Sequence, residues 1–183
     1  MKAGRSFLLI VATAWCCALG LGARAIYAYS TSPGQQHTAP ARWPADSTLA
    51  RPSNRFLIVM FVHPECPCSR ASLTELGEIA DKAGDRAAIQ IVFSGIGESW
   101  DLAESIAGAT RILDPLGTES IRFGAKTSGH VVVYDARGAE RYAGGITGSR
   151  GHAGDNIGRQ TIEQLLAGIG GDELGHPVFG CAL

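Results

Sequence analysis

One stretch constrains this chain more than any other: seven consecutive apolar residues, Phe56–Val62 (FLIVMFV), stop at Pro64 and run into Cys66-Pro67-Cys68. A short unbroken apolar run reads as a strand buried on both faces, which belongs in a sheet covered by helices rather than in one facing water. The next segment has helical texture. Leu73, Leu76, Ile79 and Ala80 recur after Ser69, with Glu75, Glu78 and Asp81 read as the opposite face and Gly84 as the stop. Downstream the pattern predicts a second buried strand at residues 88–93 and a short helix around residues 100–107. An extended piece at residues 111–113 and a hairpin of residues 130–134 and 139–143, turning through Asp135-Ala136-Arg137-Gly138, come next. A glycine-rich loop at residues 144–158 leads to a last helix at residues 160–169. This order predicts an α/β fold, a mixed sheet flanked by helices. In open α/β sheets sites form where a strand's carboxyl end meets a helix, which here is the junction His63 to Cys68.

The amino terminus speaks to compartment. Lys2 and Arg5 precede an uncharged stretch at residues 6–23, and no acidic residue appears before Asp46. Residues 1–25 are expected to be a signal-anchor or signal peptide: Ala23-Arg24-Ala25 offers a cleavage site, and the apolar length reaches that of one N-terminal membrane helix. Either outcome puts the remainder outside the cytoplasm. The expected location is the inner membrane facing the periplasm, with a soluble periplasmic protein as the alternative. Cys16 and Cys17 then read as apolar residues in lipid. Residues 26–54, with Pro33, Pro40, Pro44 and Pro52, read as a linker or strap. Residues 55–171 form the domain, and residues 172–183 a tail carrying Cys181. The formal net charge is -1, so the basic footprint of a nucleic-acid binder is missing.

Taken together, FLIVMFVHPECPCSRASLTEL resembles the first strand, redox loop and first helix of the thioredoxin-like superfamily, over roughly residues 55–170. FGAKTSGHVVVYDARGAERYAGGIT is similar to its redoxin branch. HPECPCSRASL, GGITGSRGHAGDN and the ending PVFGCAL resemble the exported proteins labelled RedB. The resemblance implies a thiol-disulfide oxidoreductase with no cofactor. Its partner would be an exported thiol or disulfide protein, or a small thiol.

The residues supply the chemistry. With Cys66 as helix N-cap, Pro67 would sit at the first helical position and the free N–H groups of the first turn would stabilise a Cys66 thiolate, making Cys66 the nucleophile. Cys68 and Cys181 complete the candidate catalytic thiols. Residues two apart on a helix do not face each other, so either Cys66 stays off the helix to bond Cys68 or the resolving thiol comes from elsewhere. Cys181 is the remaining exported cysteine. Some thioredoxin-like relatives end in a similar Gly-Cys, which implies a tail returning to the redox loop.

Where that superfamily has a cis-proline that helps bind extended substrates, this sequence has Gly129 after Ser128. Pro67, Ser128, Gly129, Arg150 and His152 are the expected substrate-binding residues. Arg150 would hold an anionic sulfur or carboxylate and His152 would move a proton, while Asp155 and Asn156 cap the last helix. The rival reading uses His63, Cys66, Cys68 and Cys181 as one imidazole and three sulfurs around Cu(I) or Zn, as a thioredoxin-fold metal chaperone. A third is a redox-inactive binding scaffold.

Overall fold

A computed structural model of the chain describes residues 2–35, 38–95, 103, 105–169 and 175–183. It separates into two units, residues 1–32 and residues 33–183. The first is helix α1, Lys2–Thr31, whose stretch Gly4–Thr31 has mean hydropathy 2.0 over its most apolar window and is long and apolar enough to cross a membrane. The helix passes Ala25, the expected boundary, and stops two residues before Pro33, which cannot continue a helix.

In the second unit, β1 (Phe56–Val62), β2 (Ala87–Ser94), β3 (Ala109–Asp114), β4 (His130–Tyr134) and β5 (Glu140–Gly145) make one sheet in the order β3-β2-β1-β4-β5. β1 pairs parallel with β2 and β2 with β3, whereas β4 runs antiparallel to both β1 and β5. Central β1 alternates its side chains between two cores, which explains its unbroken apolar sequence. Ile58, Met60 and Val62 pack under α2 (Ser69–Ala83) and α4 (Ile157–Leu166) with Leu73, Leu76, Ile79, Ile162 and Leu165. Leu57, Val59 and Phe61 enter the other core with Val132, Tyr134 and Phe123, which follows the short helix α3 (Thr118–Arg122). Each such side chain contributes about 1.5–3 kcal/mol on leaving water.

The segment read as a linker or strap is packed in part against the domain. Leu49 is buried, Trp43 stacks edge-on against Phe123 and Tyr134 at 5.0 and 5.3 Å, and Arg42 bridges to Ala139. Its prolines limit its freedom, and the aromatic contacts hold it down. The helix expected near residues 100–107 lies largely outside the described residues. Helix α3, which the sequence pattern did not announce, spans five residues, too few to show a period. The last helix begins at Ile157, three residues earlier than expected, because Asn156 caps it by accepting the Arg159 N–H at 2.8 Å.

Candidate functional site

The carboxyl end of β1 leaves the sheet through two successive tight turns. Cys66 N–H donates to the His63 carbonyl at 3.1 Å, and Ser69 N–H donates to the Cys66 carbonyl at 3.0 Å. Pro67 occupies the second position of the latter turn, where its fixed φ suits it. Helix α2 therefore starts at Ser69 with Cys68 as its N-cap, not Cys66. The N-cap expectation is corrected by two residues: Cys66 lies off the helix, with its sulfur turned toward the returning tail.

Three thiols converge there. Cys66 Sγ lies 2.9 Å from Cys181 Sγ, and the Cys181 backbone N–H points at Cys66 Sγ from 3.4 Å. All three are free thiols. Burial opposes charge on Cys66. Hydrogen bonds to its sulfur from the Cys181 thiol, the N–H groups of Cys181 and Cys68, and the Ser69 hydroxyl outweigh that burial, so its pKa falls below the ordinary thiol value. Burial raises Cys68, and the adjacent Cys66 raises it further, with Arg150 opposing. Burial and donation to Cys66 push Cys181 up to about 11. One sulfur is thus prepared to ionise first and two remain protonated beside it.

A serine pair supports this arrangement. Ser128 Oγ accepts the His63 N–H at 2.8 Å and lies 2.8 Å from Ser69 Oγ, whose hydroxyl is also 3.1 Å from the His63 carbonyl. Ser69 has one hydrogen to give, shared between that carbonyl and Cys66, while Ser128 can fill its acceptor side. Gly129 donates its N–H to the Phe61 carbonyl at 2.8 Å and has φ +92°, and a Cβ there would come within 2.7 Å of Ser72 Oγ. Glycine is required here by conformation and by space.

The expected residues are unevenly gathered. Cys66, Cys68, Cys181, Ser128, Gly129 and Arg150 meet at one place. Arg150 donates to the Gly180 carbonyl and lies beside Cys68. Pro67 is exposed at the rim. His152 is on the exposed part of its loop, its Nδ1 3.0 Å from the Arg150 carbonyl, directed at its own loop rather than at a sulfur. His63 Nδ1 accepts the Glu65 N–H at 3.2 Å. Among the described residues no group of three or more His, Cys, Asp or Glu side chains is arranged to hold a metal ion.

Sequence reasoning placed Glu75 on the solvent face, yet it is 1% exposed. Its carboxylate accepts the Gly154 N–H at 2.6 Å and Asn156 Nδ2 at 3.0 Å, and pairs with Arg159 at 3.0 Å. These partners arrive from 79 or more residues away, and they tie α2 to the loop that presents Arg150. Ser69 and Ser72 were likewise unremarked. Their one sequence signal is position, immediately after Cys68 on the first turn of α2.

No protein-family model matches the chain, and no curated protein matches it. Solved structures do. A hypothetical protein from Sinorhizobium meliloti is similar at TM-score 0.64 and 19% identity, covering 82% of this chain and 96% of that one. An uncharacterized conserved protein from Geobacillus kaustophilus is similar at TM-score 0.59 and 19% identity, covering 83% and 91%. A thioredoxin-like protein from Parabacteroides distasonis has TM-score 0.48 and 15% identity, covering 75% and 96%. At such identities the likeness is one of fold. This chain has a mixed five-stranded sheet with flanking helices, a fold it shares with the Sinorhizobium and Geobacillus proteins, preceded by an apolar N-terminal helix.

Proposed function

We propose that this protein is a thiol-disulfide oxidoreductase, tethered to the inner membrane by α1 and facing the periplasm. Cys66 is its nucleophile and Cys181 its resolving thiol. The observation that carries the reading is the 2.9 Å contact between Cys66 Sγ and Cys181 Sγ, made around a sulfur surrounded by donors. A helix of 28 residues is roughly 42 Å long, ample for an apolar layer of about 30 Å. Lys2 and Arg5 ahead of it favour a cytoplasmic amino terminus.

In the reducing direction the Cys66 thiolate attacks one sulfur of a partner disulfide, forming a mixed disulfide and releasing the other partner sulfur, which takes a proton. Cys181 then gives up its proton and attacks Cys66 Sγ. The Cys66–Cys181 bond forms as the mixed disulfide breaks, and the second partner sulfur leaves as a thiol. Two electrons and two protons pass to the partner, and the protein ends as a disulfide. The reverse sequence oxidises a dithiol, and the relative stability of the two redox states sets the direction. Arg150, beside Cys68 and within reach of the tail, favours an anionic sulfur during either half. The partner is an exported thiol or disulfide protein, or a small thiol.

Turnover of a disulfide substrate without added metal tests the proposal. Cys66→Ser is expected to abolish exchange and Cys181→Ser to accumulate the mixed disulfide. Exchange no faster than that of a free thiol, together with tight binding of one Cu(I), would establish the metal-chaperone reading instead.

A further inference from the structure

Beyond delivering a thiol, the tail from Gly175 to Leu183 is held almost wholly through backbone. The Gly145 N–H donates to the His176 carbonyl at 3.0 Å and the Gly34 N–H to the Val178 carbonyl at 2.8 Å. Past Phe179 the tail crosses to the segment entering β4. There the Ser128 N–H donates to the Cys181 carbonyl at 2.8 Å, the Leu183 N–H donates to the Lys126 carbonyl at 3.1 Å, and Thr127 bridges Ala182. Glycines line the path: a Cβ at Gly144 or Gly145 would collide with tail backbone, and a Cβ at Gly180 would collide with the Ser128 carbonyl, all inside 3.0 Å.

The two halves of the tail are held differently. Val178 is buried and anchors the upstream half, whereas Phe179 and Cys181 are half-buried and Ala182 is exposed. Residues 179–183 are retained by the two backbone hydrogen bonds of the Thr127–Ala182 bridge, by the Arg150 bond to the Gly180 carbonyl and by the Cys181 contacts with Cys66, and none of their side chains is buried as Val178 is, so this half opens without uncovering the core. Backbone pairing is also indifferent to side chains, so an edge that accepts one extended strand accepts another.

We propose that residues 179–183 are a displaceable internal occupant of a polypeptide-binding edge. An extended, cysteine-bearing segment of a client protein replaces them on Lys126–Ser128, and their return expels it. The inference rests on the thiol-exchange reading of Cys66 and deepens it. The tail screens clients by form: a polypeptide must take the whole edge, while a small reagent needs access to the sulfur alone. Returning residues bring Cys181 to Cys66 and reclaim the hydrogen bonds at Ser128, which couples resolution of the mixed disulfide to product release.

The test uses the full chain in detergent, with Cys68→Ser and Cys181→Ser so that Cys66 is the remaining thiol of the exported unit. Labelling at Cys66, mapped by mass spectrometry, is timed with iodoacetamide and with an extended peptide carrying a thiopyridyl-activated cysteine. Adding Gly180→Val forces the tail off Ser128. It is expected to raise the peptide rate on the order of tenfold more than the iodoacetamide rate, the effect of one or two net hydrogen bonds, with iodoacetamide reporting the exposure and ionisation of Cys66 common to both reagents. A chain ending at Val178 is expected to behave the same way, which covers misfolding of the valine variant. Equal changes for both reagents would reduce the tail to a general shield, and no change would show that it does not compete; either result overturns the proposal. Free labelling by both reagents with no disulfide turnover in the wild type would overturn the oxidoreductase reading and leave the edge intact.

Discussion

Cys66 and Cys181 touch through their sulfurs at 2.9 Å across a sequence separation of 115 residues. The intervening chain contains most of the domain, so the contact records the completed fold. Oxidation that joins them closes a very long loop. In the chain-entropy model such a closure stabilises by roughly 4–5 kcal/mol before strain is subtracted. The oxidised protein is therefore expected to melt on the order of ten degrees above the reduced protein. Cys181→Ala should remove most of that difference and Cys68→Ser should preserve it. Tryptic mapping that finds Cys66 joined to Cys68 with Cys181 free would refute the assignment.

Ionisation supplies a second check. Cys66 has its pKa lowered by the donors around it, so reduced protein should alkylate at Cys66 with a midpoint below that of an ordinary thiol. Cys181→Ala removes a donor and should move this midpoint upward. Cys181 itself, pushed up to about 11, should label only in strongly alkaline solution. The sign for stability follows: Cys181 has its folded pKa above its unfolded value. Its contribution is thus fully present below the unfolded pKa near 8.5 and lost as pH rises toward 11. Seating of the tail in reduced protein should weaken over that range, read as faster amide exchange at Ser128.

Glu75→Ala leaves the Arg159 guanidinium, 12% exposed, without its buried partner. Because Asp155 at 2.6 Å and Glu163 at 3.5 Å still pair with Arg159, the loss is chiefly that of the acceptor for the Gly154 N–H and Asn156 Nδ2, about 1–3 kcal/mol. Urea unfolding should show that loss as a lower midpoint with an unchanged slope, and the alkylation profile of Cys68 should shift as the loop carrying Arg150 loosens. An unchanged midpoint would show the Glu75 network to be dispensable.

At Gly129, where the thioredoxin-like resemblance would put a proline, that residue does not fit. Proline fixes φ near −65°, whereas Gly129 has φ +92° and uses its N–H on Phe61. Gly129→Pro should cost more than about 3 kcal/mol. Gly129→Ala should cost about 1–3 kcal/mol, partly recovered by Ser72→Ala, which removes the oxygen its Cβ would meet. Thermal melts of the single and double variants measure the recovery; a stable proline variant would mean that this turn tolerates the superfamily geometry.

Topology has its own measurement. A reporter joined after Asn54 should be active only outside the cytoplasm, and an amino terminus at Ile26 in isolated protein would replace the anchor with a cleaved signal.

Much of the architecture was legible because it rests on local periodicity. The Phe56–Val62 run, the spacing from Leu73 to Ile79, the Asp135–Gly138 reversal and the Asn156 cap each state their structure within a few residues. Glu75 was misread for a complementary reason. Periodicity assigns a carboxylate to water by default, and the Arg159 and Asn156 that make its burial affordable come from the opposite end of the domain. The N-cap went to Cys66 rather than Cys68 because helix starts are set by competing turns, and here the carbonyls of His63 and Cys66 capture the first N–H groups.

By itself, then, the sequence determined the order of strands and helices, the apolar leader and the candidate thiols, since these follow from residue type and short-range spacing. Tertiary structure alone decided which thiols meet, which one ionises first, and which backbone edge the tail occupies. Those outcomes depend on hydrogen bonds and desolvation between segments more than 50 residues apart, from Ser128 to Cys181 and from Cys181 to Cys66, and no local pattern encodes a distance across the folded chain.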